Sequence, residues 1–441
     1  MKLCGRETVM DVKTLLNRAK TRFRNWLASD LAIKKLVPAA LRHRISGKVM
    51  DALATHTGVP APYVPGKYPK GINLYGFFKA ENGLAQGVKM YARALEEGNI
   101  PHTLLNTDFL DWLPQEDTTF DNRLETENRY AVNVMHVNPD QWQEACGMFP
   151  RSQFDGHYNI GIFQWELETA PADWKPLFDY VDEVWTPSEF TARTMRKETD
   201  KPVVPILYCI ETPYDESLTR KDFGLDEKDF LVLMMYDSNS YASRKNPGAA
   251  IDAFREAFGE KPEGVKLVIK ISNPKPEDIA FVESRIDPGS YVLMTERLER
   301  KQMNSLIRLC DVFLSLHRSE GFGLVLAEAM NLGTATVATN WSANTEFMPE
   351  GTACLVNYSR VPVGNTYQYE QEGLTWADPD VHEAAAWLRK LKDEPAFRKE
   401  IAEAGKKHIR EQLSTAKCAE QMAARLNEII SIQNSEFRIQ N

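Results

Sequence analysis

Residues 311–348 constrain the fold more than any other stretch of the chain. Residues 312–316 form an apolar run without a helix breaker, which is typical of a buried parallel strand. A loop with two glycines follows, and apolar residues then recur at helical spacing over residues 324–332. Another apolar run covers residues 334–338. The stretch therefore predicts a strand–loop–helix–strand unit of a parallel α/β sheet.

Two glutamates of this unit indicate its chemistry. Glu320 lies in the loop just before the predicted helix, and Glu328 lies inside the helix. The turn Gly321-Phe322-Gly323 lets backbone N–H groups point outward at the helix start, where they attract phosphate. A carboxylate can also bind vicinal hydroxyl groups. The combination suits a ligand that contains both a diphosphate and sugars, which is a nucleotide-sugar, rather than a bare phosphate.

The segment SEGFGLVLAEAMNLGTATVAT resembles the E-x₇-E signature of the retaining GT-B glycosyltransferases of family four, with Glu320 and Glu328 at its two glutamates. The following NWSANTEFM resembles a loop in a subset of that family. The resemblance covers about residues 70–430 and implies two Rossmann-like domains facing across a cleft. It also implies transfer of a mannose-like or glucose-like hexose from a nucleotide-sugar to a glycan or lipid-linked acceptor, in cell-surface polysaccharide synthesis. The plain alternative is a buried βαβ unit with two unrelated carboxylates.

The resemblance implies which residues would contact each part of the nucleotide-sugar donor. Glu328 would hold the ribose hydroxyls and Glu320 the transferred sugar. The diphosphate would lie against backbone amides and two cations. These donor-side groups are Gly321, Phe322, Gly323 and Leu324, with Lys245 and Arg244 as the cations. The leaving phosphate itself would take the acceptor proton, so no dedicated protein base is expected.

One loop departs from the family pattern. Lys245 stands at the place of the family's lysine, but Asn239 stands at the usual place of its arginine. A departing diphosphate needs cationic groups, so Arg244 or Lys270 is predicted to supply the second charge. The plain alternative for Arg244 and Lys245 is a solvated basic pair.

Further donor contacts are implied at two other loops. The backbone of residues 295–299 would receive the nucleobase, with Arg297 and Leu298 as candidates that do not distinguish guanine from uracil. In the first α/β domain, Asn82 and Gly83 follow a predicted strand and would face the donor phosphates. A tight turn without ligand contact is the alternative there.

Three residues of the first domain are candidates for the sugar and the acceptor. His136 follows a strand predicted at residues 130–135, and the carboxyl ends of parallel strands point into the ligand crevice. It could polarise a hydroxyl or the leaving group, or be a structural histidine. Trp165 and Glu166 pair a ring face with a carboxylate, which suits an acceptor sugar. The alternative is that Trp165 packs in the core.

The pattern divides the chain into four parts. These are a basic amphipathic helical extension and linker (residues 1–66), an N-terminal acceptor domain (67–207), a C-terminal nucleotide-sugar domain (208–412) and a last helix predicted to pack back on the first domain (413–441). An insertion at residues 357–376, rich in Tyr, Pro and Gly, either covers the cleft or lies on the surface.

Charge is distributed unevenly along the chain. The net charge is −9, yet residues 1–62 hold twelve Lys and Arg against four Asp and Glu. Residues 1–60 could bind an anionic membrane surface as an amphipathic helix, or pack on the catalytic body with a solvated basic face. Nucleic acid is not an expected partner, because the remaining body is acidic and no recognition motif is present.

Cysteine usage and hydropathy bear on the compartment. The six cysteines are scattered without a C-x-x-C pair, which indicates free thiols in a reducing cytoplasm. Neither a secretory signal nor a transmembrane run is evident. No metal or other cofactor is expected. Two further functions remain open: a sugar-nucleotide epimerase that uses His136 with Glu166, and a non-catalytic sugar-binding scaffold.

Overall fold

The structure, a computed structural model, describes residues 58–110, 113–364 and 373–440, and for residues 433–440 the backbone alone. The predicted helical extension and its proposed membrane contact lie outside the described residues, except for the linker from residue 58. The centre of the insertion at residues 357–376 also lies outside them.

The first sheet contains six strands. They are β1 (Ile72–Gly76), β2 (His102–Asn106), β3 (Val132–Met135), β4 (Tyr158–Ile162), β5 (Glu183–Thr186) and β6 (Val203–Pro205), in the order β2-β1-β3-β4-β5-β6. Helices α1 (Gly83–Glu97), α2 (Pro139–Gly147) and α3 (Glu189–Met195) accompany them. Strands β1, β3, β4 and β5 are buried at every residue, which explains their largely apolar sequences.

A polar row crosses this otherwise apolar sheet near the amino ends of its strands. Asn73 pairs in register with Thr103 and Asn133, and Asn133 pairs with Asn159. The side chains bond to one another: Asn73 Nδ2 donates to Asn133 Oδ1 at 2.9 Å, and Asn133 Nδ2 donates to Asn159 Oδ1 at 2.9 Å. Because each buried amide finds a partner, the row is compatible with the core.

The second sheet also contains six strands. They are β7 (Phe230–Asp237), β8 (Val265–Ser272), β9 (Tyr291–Met294), β10 (Val312–Ser315), β11 (Ala335–Thr339) and β12 (Cys354–Val356), in the order β12-β11-β10-β7-β8-β9. This is the order of a doubly wound nucleotide-binding fold, with the direction of strand addition reversing between β7 and β10. Ligands of such sheets bind at the carboxyl ends of the two strands at that point.

Helices and a hairpin complete the chain. They are α4 (Ala242–Lys245), α5 (Pro247–Phe258), α6 (Pro276–Arg285), α7 (Arg300–Leu309), α8 (Leu324–Leu332), α9 (Val381–Asp393), α10 (Pro395–Gln412), α11 (Thr415–Gln440) and the strands β13 (Tyr358–Pro362) and β14 (Thr375–Pro379). The core of the second sheet consists of fully buried aliphatic residues such as Val232, Leu267 and Val337. Each such side chain contributes about 1.5–3 kcal/mol when it leaves water.

The predicted fold class is confirmed: the protein is α/β with two parallel six-stranded sheets. The strands predicted at residues 312–316 and 334–338 are found at Val312–Ser315 and Ala335–Thr339. Helix α6 and the antiparallel pairing of β13 with β14 were not predicted. The hairpin escaped prediction because proline and glycine in residues 357–376 obscure the alternation of a strand.

Contacts divide the chain into two compact units. The first comprises the described residues up to Phe163, Asp173–Val184 and the chain from Ala423 onward. The second comprises Gln164–Ala172 and Trp185–Met422, so Trp165 and Glu166 group with the second unit rather than with the first domain.

Within the parts of the chain that the structure describes, no helix combines the length and apolar character needed to cross a membrane.

Candidate functional site

Two loops of the second unit meet where the strand order reverses. The loop after β7 leads into α4, which contains Arg244 and Lys245, and the loop after β10 contains Glu320. The backbone N–H of Arg318 donates to the carbonyl of Arg244 at 2.8 Å, which ties the loops together. The parallel topology therefore brings residues 75 positions apart into one site.

Glu320 is the centre of a compact charge cluster. Its Oε2 lies 3.1 Å from Arg244 Nη1, and its Oε1 accepts a hydrogen bond from Lys245 Nζ. The side chain is 12% exposed. Burial alone would raise its pKa, but the charges of Lys245 and Arg244 outweigh burial and lower the pKa to about 2. Glu320 is therefore an anion at neutral pH.

Arg244 joins two carboxylates inside this cluster. Its side chain is 6% exposed, Nη1 donates to Ser319 O at 3.0 Å, and Nη2 lies 3.4 Å from Glu166 Oε1. Glu166 was predicted on the acceptor side, and the structure places it beside Glu320 through this shared guanidinium. The planar fork of an arginine suits such bridging better than a lysine would.

Lys245 is the more accessible of the two cations. Its side chain is 22% exposed, whereas that of Arg244 is 6% exposed. Burial lowers the pKa of Lys245, although the neighbouring Glu320 acts to raise it. An ammonium group has three donors, so Lys245 can hold Glu320 and still donate to a ligand.

The start of helix α8 presents unsatisfied amides. Among the described residues, the backbone N–H groups of residues 321–325 have no hydrogen-bond acceptor. Gly323 adopts the left-handed conformation with φ of 92°, and no side chain caps the helix. A helix end that exposes its N–H groups in this way binds anions.

Packing explains the glycines and the aromatic residue of the turn. A Cβ on Gly321 would lie 2.9 Å from the carbonyl oxygen of Trp165. The Phe322 ring is buried against Tyr208 and Phe347, with ring centroids 5.0 and 5.2 Å away. Phe322 therefore offers its backbone, and not its ring, to a ligand.

Trp165 also lies in the core. The residue is 2% exposed, and its Nε1–H donates to Thr169 O at 2.7 Å. The packing alternative considered for this ring matches its position. Among the predicted acceptor pair, the carboxylate of Glu166 is the more accessible group, at 25% exposure.

Glu328 is buried inside helix α8 and has a cationic partner that sequence analysis missed. Its side chain is 1% exposed, and its Oε1 accepts a hydrogen bond from Nη2 of Arg300, the first residue of α7. A signal existed in the sequence: a glutamate buried in an apolar helix requires a nearby cation, and the preceding helix begins with arginine.

The remaining donor-side candidates lie on neighbouring segments. Arg297 is exposed and Leu298 half-buried, in the loop that joins β9 to α7. Lys270 on β8 is 2% exposed, and its Nζ donates to Ile271 O at 3.1 Å. Burial lowers the pKa of Lys270.

The first unit carries its own candidates after β1 and β3, where its strand order also reverses. His136 is fully buried, and burial lowers its pKa to about 4, so the ring is neutral at pH 7. Asn82 caps α1, since its Oδ1 accepts from Ala85 N at 2.8 Å. Gly83 is exposed, and a Cβ there would meet nothing within 4 Å. Capping explains Asn82 without a ligand.

The described part of the chain contains no cluster of three or more His, Cys, Asp or Glu side chains that could hold a metal ion. Cys146, Cys209, Cys310, Cys354 and Cys418 are free thiols. The expectation that the protein needs no cofactor stays a prediction.

The residues of the site lie in a segment that resembles a known protein family. Residues 215–408 match the family model described as Glycosyl transferases group 1. The match contains Lys245, Glu320 and Glu328. The charge cluster and the start of α8 therefore lie in a segment that is similar to this family.

Individual proteins resemble longer parts of the chain. A protein named trehalose synthase from Rubrobacter xylanophilus is 24% identical over 321 residues, which are 66% of this chain and 70% of that protein. Sucrose-phosphate synthase from Thermosynechococcus elongatus superposes with a TM-score of 0.61 and 13% identity, covering 82% of this chain and 100% of the other. Anabaena HepE in complex with UDP and glucose gives a TM-score of 0.56 and 13% identity, covering 81% and 100%. These structures show the fold, which is GT-B.

Proposed function

We propose that this chain is a retaining glycosyltransferase that moves a hexose from a nucleotide-sugar to a glycan or lipid-linked acceptor. One observation carries the proposal: an ionised, cation-paired Glu320 stands next to five amides that lack an acceptor among the described residues. That combination places anion-binding and hydroxyl-binding groups side by side. HepE, whose structure contains UDP and glucose, supports a nucleotide-sugar as the ligand.

The diphosphate would bind at the start of α8. The amides of residues 321–325 point their donors at the phosphate oxygens, and the helix dipole adds to the attraction. Lys245 adds a full positive charge from the neighbouring loop. These groups are fixed before the reaction, so they stabilise charge that develops on the leaving group without reorganisation.

Glu320 would hold the transferred sugar. Its ionised carboxylate can accept hydrogen bonds from two hydroxyls, and each such charge-assisted bond contributes about 1.5–3 kcal/mol. Arg244 orients Glu320 and Glu166 together, since its guanidinium contacts both carboxylates. Arg244 thus acts through its neighbours rather than as the main phosphate ligand.

The reaction requires no base from the protein. The bond between the anomeric carbon and the phosphate oxygen breaks, and the acceptor oxygen forms its bond to the same face of that carbon. The acceptor proton passes to the phosphate oxygen that leaves. The products are a glycoside with the donor's anomeric configuration and a nucleoside diphosphate, whose charge Lys245 and the amides stabilise.

A donor panel tests this proposal. The protein is incubated with UDP-glucose, GDP-mannose, ADP-glucose and dTDP-glucose, and release of the nucleoside diphosphate is measured without acceptor. We expect slow release from one donor. With a glycan acceptor, NMR of the product should show the anomeric configuration of the donor. Glu320→Gln should lower release roughly 100- to 1,000-fold, while the exposed Glu263→Gln serves as the matched control.

The other outcomes would overturn the proposal in distinct ways. Interconversion of the sugar without release of nucleotide would indicate an epimerase. Tight binding of a donor without turnover would indicate a sugar-binding scaffold. A product of inverted configuration would leave a glycosyltransferase but contradict retention.

A further inference from the structure

The buried Glu328 forms an ion pair with the half-buried Arg300, and packing does not explain why a carboxylate lies at this place. Glu328 lies on α8 among the buried residues Leu326, Ala327 and Ala329. Removing a carboxylate from water is unfavourable, and well-packed apolar residues can replace buried ion pairs without loss of stability. A glutamate at this place therefore indicates a ligand that needs it.

The position of Arg300 points the same way. It is the first residue of α7, where the positive end of the helix dipole repels a cation. Its contact with Glu328 compensates for that unfavourable place. The start of α7 is thus an unfavourable place for Arg300, and the contact with Glu328 on α8 offsets this cost.

The geometry of the pair leaves part of the carboxylate open. Arg300 Nη2 binds Oε1, and no described residue donates a hydrogen bond to Oε2. A carboxylate accepts through both oxygens, so Oε2 can still accept from hydroxyl groups. Arg300 is 32% exposed at its side chain, whereas Glu328 is 1% exposed, so Arg300 is the member of the pair that faces solvent.

The position of Arg300 in the chain indicates that Glu328 would bind the hydroxyl groups of the ribose. Arg300 follows directly on the loop of residues 295–299, which is the predicted nucleobase loop. A ribose is attached to its base, so one continuous segment would contact the base and orient the residue that holds the ribose.

We propose that Arg300 is a positioning residue that keeps Glu328 directed at the ribose, and so makes the site select ribonucleotide over deoxyribonucleotide donors. The inference rests on the proposed function, because it assumes that the site binds a nucleotide-sugar. Without Arg300, Glu328 loses its cation and its fixed rotamer, and the contact with the ribose hydroxyls weakens. A lysine would keep the charge but not the planar fork.

Calorimetric titration with UDP, GDP, ADP and their 2′-deoxy and 3′-deoxy counterparts tests the inference. Wild-type protein should bind one ribonucleoside diphosphate more tightly than its deoxy forms by roughly tenfold to a hundredfold, as expected for hydrogen bonds to a charged group. In Arg300→Met this ratio should fall to about threefold or less. Glu328→Gln should lower it equally, and the double variant should lower it no further.

A matched control lies in the same helix. Arg308 is exposed, and its guanidinium lies over the Tyr214 ring, 4.5 Å from the centroid. Arg308→Met removes the same charge from α7, and it should retain the wild-type ratio. Equal weakening of ribose and deoxyribose forms in Arg300→Met would show a general electrostatic effect and would overturn the positioning role.

The possible failures are distinguishable. If wild-type protein discriminates between the nucleotides and Arg300→Met discriminates equally well, the inference fails while the proposed function stands. If wild-type protein binds none of the three diphosphates, the inference fails. If it also releases no nucleotide from any of the four donors, the proposed function fails as well. Melting temperatures establish that each variant is folded, and Arg300→Lys and Arg300→Gln answer the same question should Arg300→Met not fold.

Discussion

Two ion-paired glutamates, Glu183 in the first unit and Glu320 in the second, show how the two ends of a parallel sheet differ. Glu183 is the first residue of β5, at the amino end of its sheet. Glu320 follows β10 at the carboxyl end of its sheet. Both are ion-paired with arginine, yet their surroundings indicate different roles.

The Glu183 cluster is complete in itself. Arg425 donates to both oxygens, through Nε at 2.8 Å and Nη2 at 2.6 Å, and the Tyr158 hydroxyl donates at 3.0 Å. Burial raises the pKa of Tyr158, and the charge of Glu183 raises it further, so the phenol stays protonated as a donor. All these bonds lie within one unit, and none of the three side chains is exposed to solvent. This is the pattern of a structural contact.

The Glu320 cluster is instead open-ended. Two cations face this one carboxylate, Arg244 extends to a second carboxylate, and the adjoining amides of residues 321–325 have no acceptor in the described chain. The comparison teaches that a buried ion pair by itself does not identify a site. The accompanying donors without acceptors do.

The largest effect should come from the structural cluster. Arg425→Met leaves Glu183 buried without its cation, and we expect a loss of about 3–5 kcal/mol in the free energy of unfolding. Urea denaturation measures this loss. Glu428, the exposed second partner of Arg425, provides the control: Glu428→Gln should change stability by less than about 0.5 kcal/mol. A loss below about 1 kcal/mol in Arg425→Met would remove the structural side of the comparison.

Substitution in the Glu320 cluster should lower the rate of the reaction rather than the stability of the fold. Glu320→Gln is expected to lower kcat roughly 100- to 1,000-fold, because it removes a preorganised charged contact to the donor sugar. Initial rates of transfer at saturating donor measure the effect. Turnover within about threefold of wild type would mean that Glu320, like Glu183, is only structural.

The glycine turn should show a smaller effect. Gly321→Ala places a Cβ 2.9 Å from the carbonyl oxygen of Trp165, so the loop must shift and misplace its amides. We expect roughly tenfold weaker donor binding, in line with the sensitivity of such sites to small displacements. Gly147→Ala is the control, because its Cβ would meet nothing within 4 Å. Unchanged affinity in Gly321→Ala would indicate that these amides do not bind the donor.

The smallest effect is a dependence on pH. The pKa of Glu320 falls from its usual 4.5 to about 2 on folding, so its contribution to stability is complete above pH 4.5 and decreases as the pH falls toward 2. Between pH 7 and pH 4, wild type should lose about 1 kcal/mol more stability than Glu320→Gln. Urea denaturation of both proteins at each pH provides the measurement. Parallel losses would mean that the cations do not lower this pKa.

Local pattern was sufficient for much of the fold and for part of the site. Residues 311–348 predicted strand, turn, helix and strand, because apolar periodicity and glycine placement act over a few residues. The α/β class and the candidate residues Glu320 and Glu328 were predicted from that stretch. The hairpin of β13 and β14 was missed, since its pairing depends on strands separated by residues 363–374.

The sequence by itself determined where the candidate site lies: a carboxylate, a glycine turn and a helix start in one continuous segment. Only the tertiary structure decided which residues contact this segment and hold it in place. Glu166 meets Arg244 from 78 positions away, Ser188 holds Gly321 across 133 positions, and Arg300 joins Glu328 from another helix. Such pairings arise from the order in which parallel strands assemble, and short-range propensity contains no information about that order.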